Sequence, residues 1–151
     1  MKIKSLLVLL TLGLSACTGS KYAGVPKQYQ ELISQSMQTA GSNAKELKKA
    51  LKQTPTTQRE GMAFLISYMP ERDAKALTAD FLLENVDYAY KARAEFPWAK
   101  EVPNDIFLND VVAYVNLNEK RENWRKDFYE RFKKYVANCK TMREAIDSVN
   151  K

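Results

Sequence analysis

The residues best suited to chemistry in this sequence are three carboxylates that share one helical face. Asp80, Glu84 and Asp87 recur at i, i+4 and i+7, a spacing that aligns them along a helix. Carboxylates grouped in this way can hold a hard cation, or supply the acid and the base of glycoside cleavage. Lys91 follows Asp87 by four residues, which is the order that favours a surface ion pair. One helix also supplies only one wall of a glycosidase cleft, so we interpret the row as a solvated face.

The sequence contains no histidine, which excludes several kinds of active site. A Ser-His-Asp triad, a Cys-His pair or a histidine-containing zinc site cannot be assembled from this chain alone. Cys139 is unpaired if the other cysteine, Cys17, carries a lipid, and an isolated thiol is more often a small buried residue than a nucleophile. We therefore expect no metal, no cofactor and no enzymatic activity. Catalysis by the carboxylate row is the least favoured hypothesis.

The first residues have the organisation of an export signal. Lys2 and Lys4 precede a nine-residue apolar stretch at 6–14, and small residues follow it. This stretch is well short of the roughly 20 residues that a membrane-spanning helix needs. The sequence LSAC at 14–17 resembles the bacterial lipobox, which implies cleavage before Cys17 and acylation of its thiol. An ordinary signal peptide with an incidental cysteine is the alternative.

The lipobox resemblance also implies a location and a division of the chain. We expect a lipoprotein signal peptide at 1–16, a lipidated tether at 17–25 and a helical domain at 26–151, anchored in the bacterial cell envelope. Thr18 follows Cys17 where an aspartate could stand, and by resemblance to lipoprotein sorting patterns this favours the outer membrane, facing the periplasm. The anchor makes the membrane the first expected partner.

The charge balance indicates a soluble surface and not a nucleic-acid-binding one. Loss of Lys2 and Lys4 with the signal peptide lowers the net charge from +6 to +4, since no acidic residue precedes Cys17. The remaining charges of both signs are interspersed. We therefore do not expect nucleic acid as a partner.

Apolar residues recur at helical spacing after Pro26, between breaks at Gly41, Pro55, Pro70 and Pro97. No segment has the sustained alternation of an exposed strand. These patterns predict an all-α fold, an irregular bundle of about six to seven helices, which includes helices at about 75–94, 105–115 and 118–139.

Three pairs of residues have the spacing of a helix-capping box, namely Asn43 with Glu46, Thr57 with Glu60 and Thr141 with Glu144. The last pair starts a helix from 141 that carries Ile146 and Val149 but meets no stop signal before the sequence ends. A frayed helix docked on the bundle and a helix truncated from a longer protein are both consistent with this pattern.

Two segments could form binding surfaces. Basic and aromatic residues alternate between 121 and 140, a composition that suits single-stranded nucleic acid or an anionic membrane. The aromatic residues share one helical stripe, however, so a core-facing helix with a solvated back is favoured. Phe96 and Trp98 flank a helix-terminating proline, and they either plug the end of the bundle or form a docking knob.

Six segments, taken in order, resemble the helical region that precedes the core of exported bacterial transglutaminase-like proteins. They are MPERD at 69–73, ADFLLENV at 79–86, FPW at 96–98, PNDIFLN at 103–109, NE at 118–119 and NWRKDFY at 123–129. The similarity spans roughly 64–147. Ala113 departs from it, because a proline is expected at that turn.

In that family a papain-like domain further along the chain carries a Cys nucleophile, a His base and an Asp orienter. The resemblance therefore implies a non-catalytic, lipid-anchored scaffold that supports such a domain, and it favours a truncated or split product. Phe96, Trp98, Ile146 and Val149 are the expected docking surface. The alternative is a self-sufficient helical lipoprotein that binds a peptide, a glycan or a protein partner in a groove near Trp98.

The lipobox prediction can be tested by metabolic labelling with palmitate in a bacterial host. We expect the wild-type chain to incorporate label and the Cys17→Ser variant to lose it, because the acylated thiol is absent. Equal labelling of the two proteins would contradict lipidation at this residue.

Overall fold

The computed structural model describes residues 22–115 and 119–151, and within these ranges the regular structure is helical, with no β-strand. The all-α prediction is confirmed. Six helices have eight residues or more: α1 Gln30–Ala40, α2 Ala44–Gln53, α3 Arg59–Tyr68, α5 Ala79–Glu95, α8 Trp124–Val136 and α9 Met142–Val149. Three shorter ones are α4 Glu71–Ala74, α6 Pro97–Lys100 and α7 Asn104–Ile106. None of these helices has the length and apolar character needed to cross a bilayer.

The main hydrophobic core lies among the first five helices. Helix α1 packs on α3, and α2 packs on α5, because each presents apolar residues at three- and four-residue intervals. On α1 these are Ile33, Met37 and Ala40, all buried. The largest fully buried side chains of the core are Ile33, Leu47, Met62, Ile66, Leu82, Val86, Phe107 and Val112.

Helix α5 begins at Ala79, four residues later than the sequence predicts. The hydroxyl of Thr78 accepts a hydrogen bond from the Phe81 N–H at 3.2 Å, which satisfies one of the free donors of the first turn. Residues 75–78 form instead the turn between α4 and α5. The helix predicted at 105–115 is also shorter, since α7 continues only as a π-helical turn, Phe107–Val111.

The predicted capping pair Asn43 and Glu46 is wrong, because both side chains bind another helix. Asn43 Nδ2 donates to the carbonyls of Ala74 and Leu77, both at 2.9 Å. Glu46 Oε2 accepts from the Ala79 N–H at 3.0 Å. The pair therefore attaches α2 to the start of α5. Likewise, no side-chain cap from Thr57 forms at α3.

The connection into α8 is held by a buried ionic network. Asp73, whose side chain is 5% exposed, accepts from Arg121 Nη2 at 2.8 Å and from the Tyr114 hydroxyl at 2.9 Å. Burial raises the pKa of the Tyr114 phenol, and the hydrogen bond to Asp73 raises it further, so the phenol stays a donor at neutral pH. One carboxylate thus fastens both sides of the connection to α4.

Helix α8 begins at Trp124 and not near 118. Asn118 lies outside the described residues, and 119–123 are irregular. Asn123 has a backbone ψ of 60°, which is not helical, and Arg121 extends to Asp73 from this irregular stretch. The helical period seen in the sequence therefore overstates the length of α8 at its N-terminus.

A second, smaller core joins α8 and α9 to the end of α5. Its buried members are Phe96, Ala99, Tyr129, Val136 and Ala145. In addition, Arg125 Nε donates to Asn85 Oδ1 at 2.8 Å, and Asn85 Nδ2 donates to the Val112 carbonyl at 2.7 Å. Burial lowers the pKa of the Arg125 guanidinium to about 10, which still leaves it charged at neutral pH. The C-terminal helices are therefore attached to α5 by a small hydrophobic core and by the hydrogen bonds that link Arg125, Asn85 and the Val112 carbonyl.

We expect Asp73→Ala to reduce the free energy of unfolding by about 3 kcal/mol, because it leaves Arg121 and the Tyr114 hydroxyl without their anionic partner. Urea denaturation followed by circular dichroism measures this loss. Asp80→Ala is the matched control. It removes an exposed ion pair with Lys49, and such pairs contribute below about 1 kcal/mol. Equal losses in the two variants would contradict a structural role for the buried network.

Candidate docking surface

Exposed apolar side chains concentrate at one end of the described chain. Of its seven large, exposed hydrophobic residues, five lie on α8 and α9: Phe128, Tyr135, Met142, Ile146 and Val149. Single exposed apolar residues are ordinary, whereas a contiguous group of them marks an interaction site. The end of the bundle formed by α6, α8 and α9 is therefore the candidate site.

The prediction that the aromatic stripe of α8 faces the core is wrong for two of its members. Phe128 is 48% exposed and Tyr135 is 51% exposed. Tyr129 takes the buried position instead, with its ring 5.3 Å from the Tyr88 ring. Since Arg125 must reach Asn85 on the same side, α8 is rotated so that the expected stripe lies at the edge of the contact.

The two aromatic residues around Pro97 have different roles. Phe96 is 5% exposed and belongs to the second core, so its prediction as a docking residue is wrong. Its ring stacks on that of Trp98, with centroids 5.4 Å apart and planes 6° apart. Phe96 therefore holds Trp98 in place at the edge of the cluster. The Trp98 Nε1 atom is buried and has no acceptor among the described residues.

Two open grooves meet at Trp98 and Val136, which line both of them. One groove, of about 230 Å³, runs along Phe128 and Phe132 of α8. The other, of about 290 Å³, runs along α9 and is lined mainly by apolar side chains. We call the joint surface the C-terminal apolar face, and define it as Trp98, Phe128, Met142, Ile146 and Val149.

Helix α9 has a well-formed N-terminal cap, but its large apolar side chains are exposed. Thr141 Oγ1 accepts from the Glu144 N–H at 3.2 Å, as the predicted capping box requires, while Glu144 Oε2 accepts from the Lys140 N–H at 2.7 Å. The helix rests on α8, yet Ala145 is its buried residue. Ile146 is 53% exposed and Val149 is 42% exposed. The sequence placed an apolar face on this helix, and the described residues leave that face open.

Charged side chains surround the C-terminal apolar face, and two of them, Arg125 and Lys133, also line the groove along Phe128 and Phe132. Lys133 pairs with Glu130, and Arg131 pairs with Asp127. Lys134 Nζ lies 4.9 Å from the centre of the Tyr135 ring, which is a cation–π contact. A predominantly apolar patch with a charged rim is the ordinary anatomy of a protein–protein interface.

The carboxylate row does not form a site. Asp80 is paired with Lys49 at 2.9 Å, and Asp87 Oδ1 accepts from Gln58 Nε2 at 3.1 Å. The expected pair of Asp87 with Lys91 is absent from the described contacts, since Lys91 Nζ lies 4.6 Å from the Tyr129 ring centre. Within 22–115 and 119–151, no group of His, Cys, Asp or Glu could hold a metal ion.

The two cysteines supply no catalytic arrangement that the structure describes. Cys139 is partly exposed, and its Sγ lies 3.5 Å from Ser148 Oγ and 3.7 Å from the Tyr135 carbonyl oxygen. Neither neighbour is a base that could activate a thiol. Cys17 lies outside the described residues, so its lipidation stays a prediction.

Sequence reasoning missed the polar anchor of α8. Asn85 lies between Leu82, Val86 and Ala89, all buried residues of α5. A polar residue in the middle of an apolar face requires a partner, and that signal was present in the sequence. The identity of its partner, Arg125, was not.

Comparison with known proteins gives no match: no family model, no curated protein and no solved structure is similar to this chain.

Proposed function

We propose that this chain is a lipid-anchored, non-catalytic helical scaffold whose C-terminal apolar face packs against a papain-like catalytic domain with a Cys-His-Asp site. The observation that carries the proposal is the uncovered apolar face of α9 beside Trp98. Ile146, at 53% exposure, is its most open residue. The resemblance to transglutaminase-like proteins supplies the identity of the partner.

The weak attachment of α9 supports a partner at this face. An isolated eight-residue helix is marginal in water, because short helices gain too few hydrogen bonds to offset nucleation. Here the helix is held by its capping box. Among the described elements, only α8 makes an extensive contact with it. A partner that covers Ile146 and Val149 would remove apolar surface from water, and each Å² so buried would stabilise the complex by about 25 cal/mol.

The chemistry of the described residues agrees with a supporting role. Cys139 is accompanied by Ser148 and a carbonyl, the carboxylates are engaged by Lys49 and Gln58, and the sequence has no histidine. A thiol acyl transfer needs a base that removes the thiol proton. The reaction would therefore belong to the partner domain.

The anchor completes the proposal. Acylation of Cys17 would hold the chain at the membrane of the bacterial cell envelope, on the periplasmic side of the outer membrane. Two or more acyl chains make such an anchor stable. The helical domain would then hold the catalytic domain near the lipid surface.

A second candidate is a self-sufficient binding lipoprotein that takes a peptide, a glycan or a protein partner in the groove along Phe128 and Phe132. The specific observation in its favour is the buried Trp98 Nε1, which has no acceptor in the described part of the chain. Buried donors are usually satisfied, and a ligand carbonyl or hydroxyl would satisfy this one.

The test uses a separately produced catalytic domain from a transglutaminase-like lipoprotein and measures its binding to the full chain by isothermal titration calorimetry. We expect a one-to-one complex. Ile146→Asp should weaken it about tenfold or more, because the new carboxylate would be buried against apolar surface.

Ile106→Asp is the matched control, since Ile106 is 46% exposed on a different part of the bundle. This variant should bind as the wild type does. Absence of a complex, or equal weakening by both substitutions, would contradict the scaffold proposal. Turnover of glutamine peptides by this chain alone would contradict its non-catalytic part.

A further inference from the structure

A cavity of the described chain lies where the chain enters the bundle, and it shares no lining residue with the C-terminal apolar face. Its volume is about 450 Å³, within the range of small-molecule sites. The entering chain, α2 and the start of α3 form its walls. The lining residues of this N-terminal cavity are Tyr22, Ala23, Val25, Lys48, Leu51, Lys52 and Arg59.

The wall formed by the entering chain is fastened to the bundle. Gln30 Nε2 donates to the carbonyls of Tyr22 and Val25, both at 3.0 Å. Gly24 has a φ of +72° and lies against Arg59, such that a Cβ at this position would be 2.4 Å from Arg59 Nη1. The turn at 22–25 is therefore held in place by hydrogen bonds to Gln30 and by the close approach of Gly24 to Arg59, and it forms one wall of the cavity.

The charge of the cavity is uncompensated. Arg59 donates to the carbonyls of Ala23 and Thr54, and its Nε is buried with no partner among the described residues. Lys48 and Lys52 lie one turn apart on α2 and make no ion pair within the described chain, unlike Lys49 between them, which pairs with Asp80. No carboxylate lines the cavity. Three cationic residues thus line a cavity that has no carboxylate among its described lining residues.

The apolar part of the lining completes the chemistry. Val25 and Leu51 are buried core residues whose side chains reach the cavity, and most of its exposed lining is apolar. We propose that the N-terminal cavity binds an amphipathic anion, with a phosphate or carboxylate headgroup at Lys48, Lys52 and Arg59 and a single alkyl chain against Val25 and Leu51. The shared chemistry fits both a free amphiphile and the headgroup end of a lipid.

The binding test is calorimetric titration of the full chain with butyl, hexyl and octyl phosphate below their micelle-forming concentrations. We expect affinity to rise about fourfold for each methylene that enters the cavity and to fall with added salt. Inorganic phosphate should bind far more weakly because it lacks the chain, and octyl glucoside because it lacks the charge.

Substitutions on α2 separate the cavity from the rest of the surface. Lys48→Gln with Lys52→Gln should weaken octyl phosphate up to about fivefold for each lysine, whereas Lys49→Gln, the same change on the same helix outside the cavity, should leave it unchanged. No binding of octyl phosphate, equal binding of octyl glucoside or of inorganic phosphate, or equal loss in the Lys49 variant would each overturn the proposal.

Two further measurements identify the source of the ligand and distinguish this proposal from the scaffold proposal. If the natural ligand is a lipid, vesicles of phosphatidylglycerol should compete with octyl phosphate; if it is a free amphiphile, they should not. Ile146→Asp should not change octyl phosphate binding, so failure of the cavity proposal leaves the scaffold proposal standing, and the reverse holds too.

Discussion

Folding places the carboxylate of Asp73 out of reach of water, and a buried carboxylate must be paired or lose its charge. The structure meets this requirement with Arg121 and the Tyr114 hydroxyl, both of which belong to the connection between the main core and α8. The Asp73 carboxylate on α4 therefore fixes the positions of Tyr114 and Arg121 in this connection. Because α8 starts only after this connection, the ionic contact of Asp73 fixes where the C-terminal helices begin, and the second core and the Arg125–Asn85 hydrogen bond then hold them on α5.

A second polar contact sets the rotation of α8. The guanidinium of Arg125 reaches Asn85 and the Ala113 carbonyl, and this contact turns Tyr129 and Val136 toward α5. The same rotation leaves Phe128 exposed. The exposure of Phe128 is thus a consequence of satisfying buried polar groups around α5, whereas Ile146 and Val149 are exposed because no described residue covers that side of α9. A partner would therefore meet a preformed face, in which stacking on the Phe96 ring fixes the orientation of the Trp98 ring.

Helical spacing is sufficient to predict the all-α fold class, because each long helix buries one stripe of its own residues. The cap at Thr141 was also predictable, since it depends on neighbours in sequence. The rotation of α8 was not, because it is fixed by contacts between residues 40 positions apart, Asn85 and Arg125. For the same reason the capping spacing of Asn43 and Glu46 misleads, because Asn43 binds carbonyls at the end of α4 and in the turn after it, and Glu46 binds the start of α5. The structure exposes Ile146 and Val149 and buries Phe96, so docking at Ile146 and Val149 stays a prediction and docking at Phe96 is wrong.

In the proposed function, a second domain would cover the open apolar face of α9. Native-state hydrogen exchange of the full chain tests it most directly, because exchange reports the local stability of each helix. We expect the amides of α9 to exchange through local opening far faster than those of α5, and to become protected when a papain-like domain is added. Equal protection of α9 and α5 in the chain alone, or no added protection of α9 in the presence of that domain, would rule out a partner at this face.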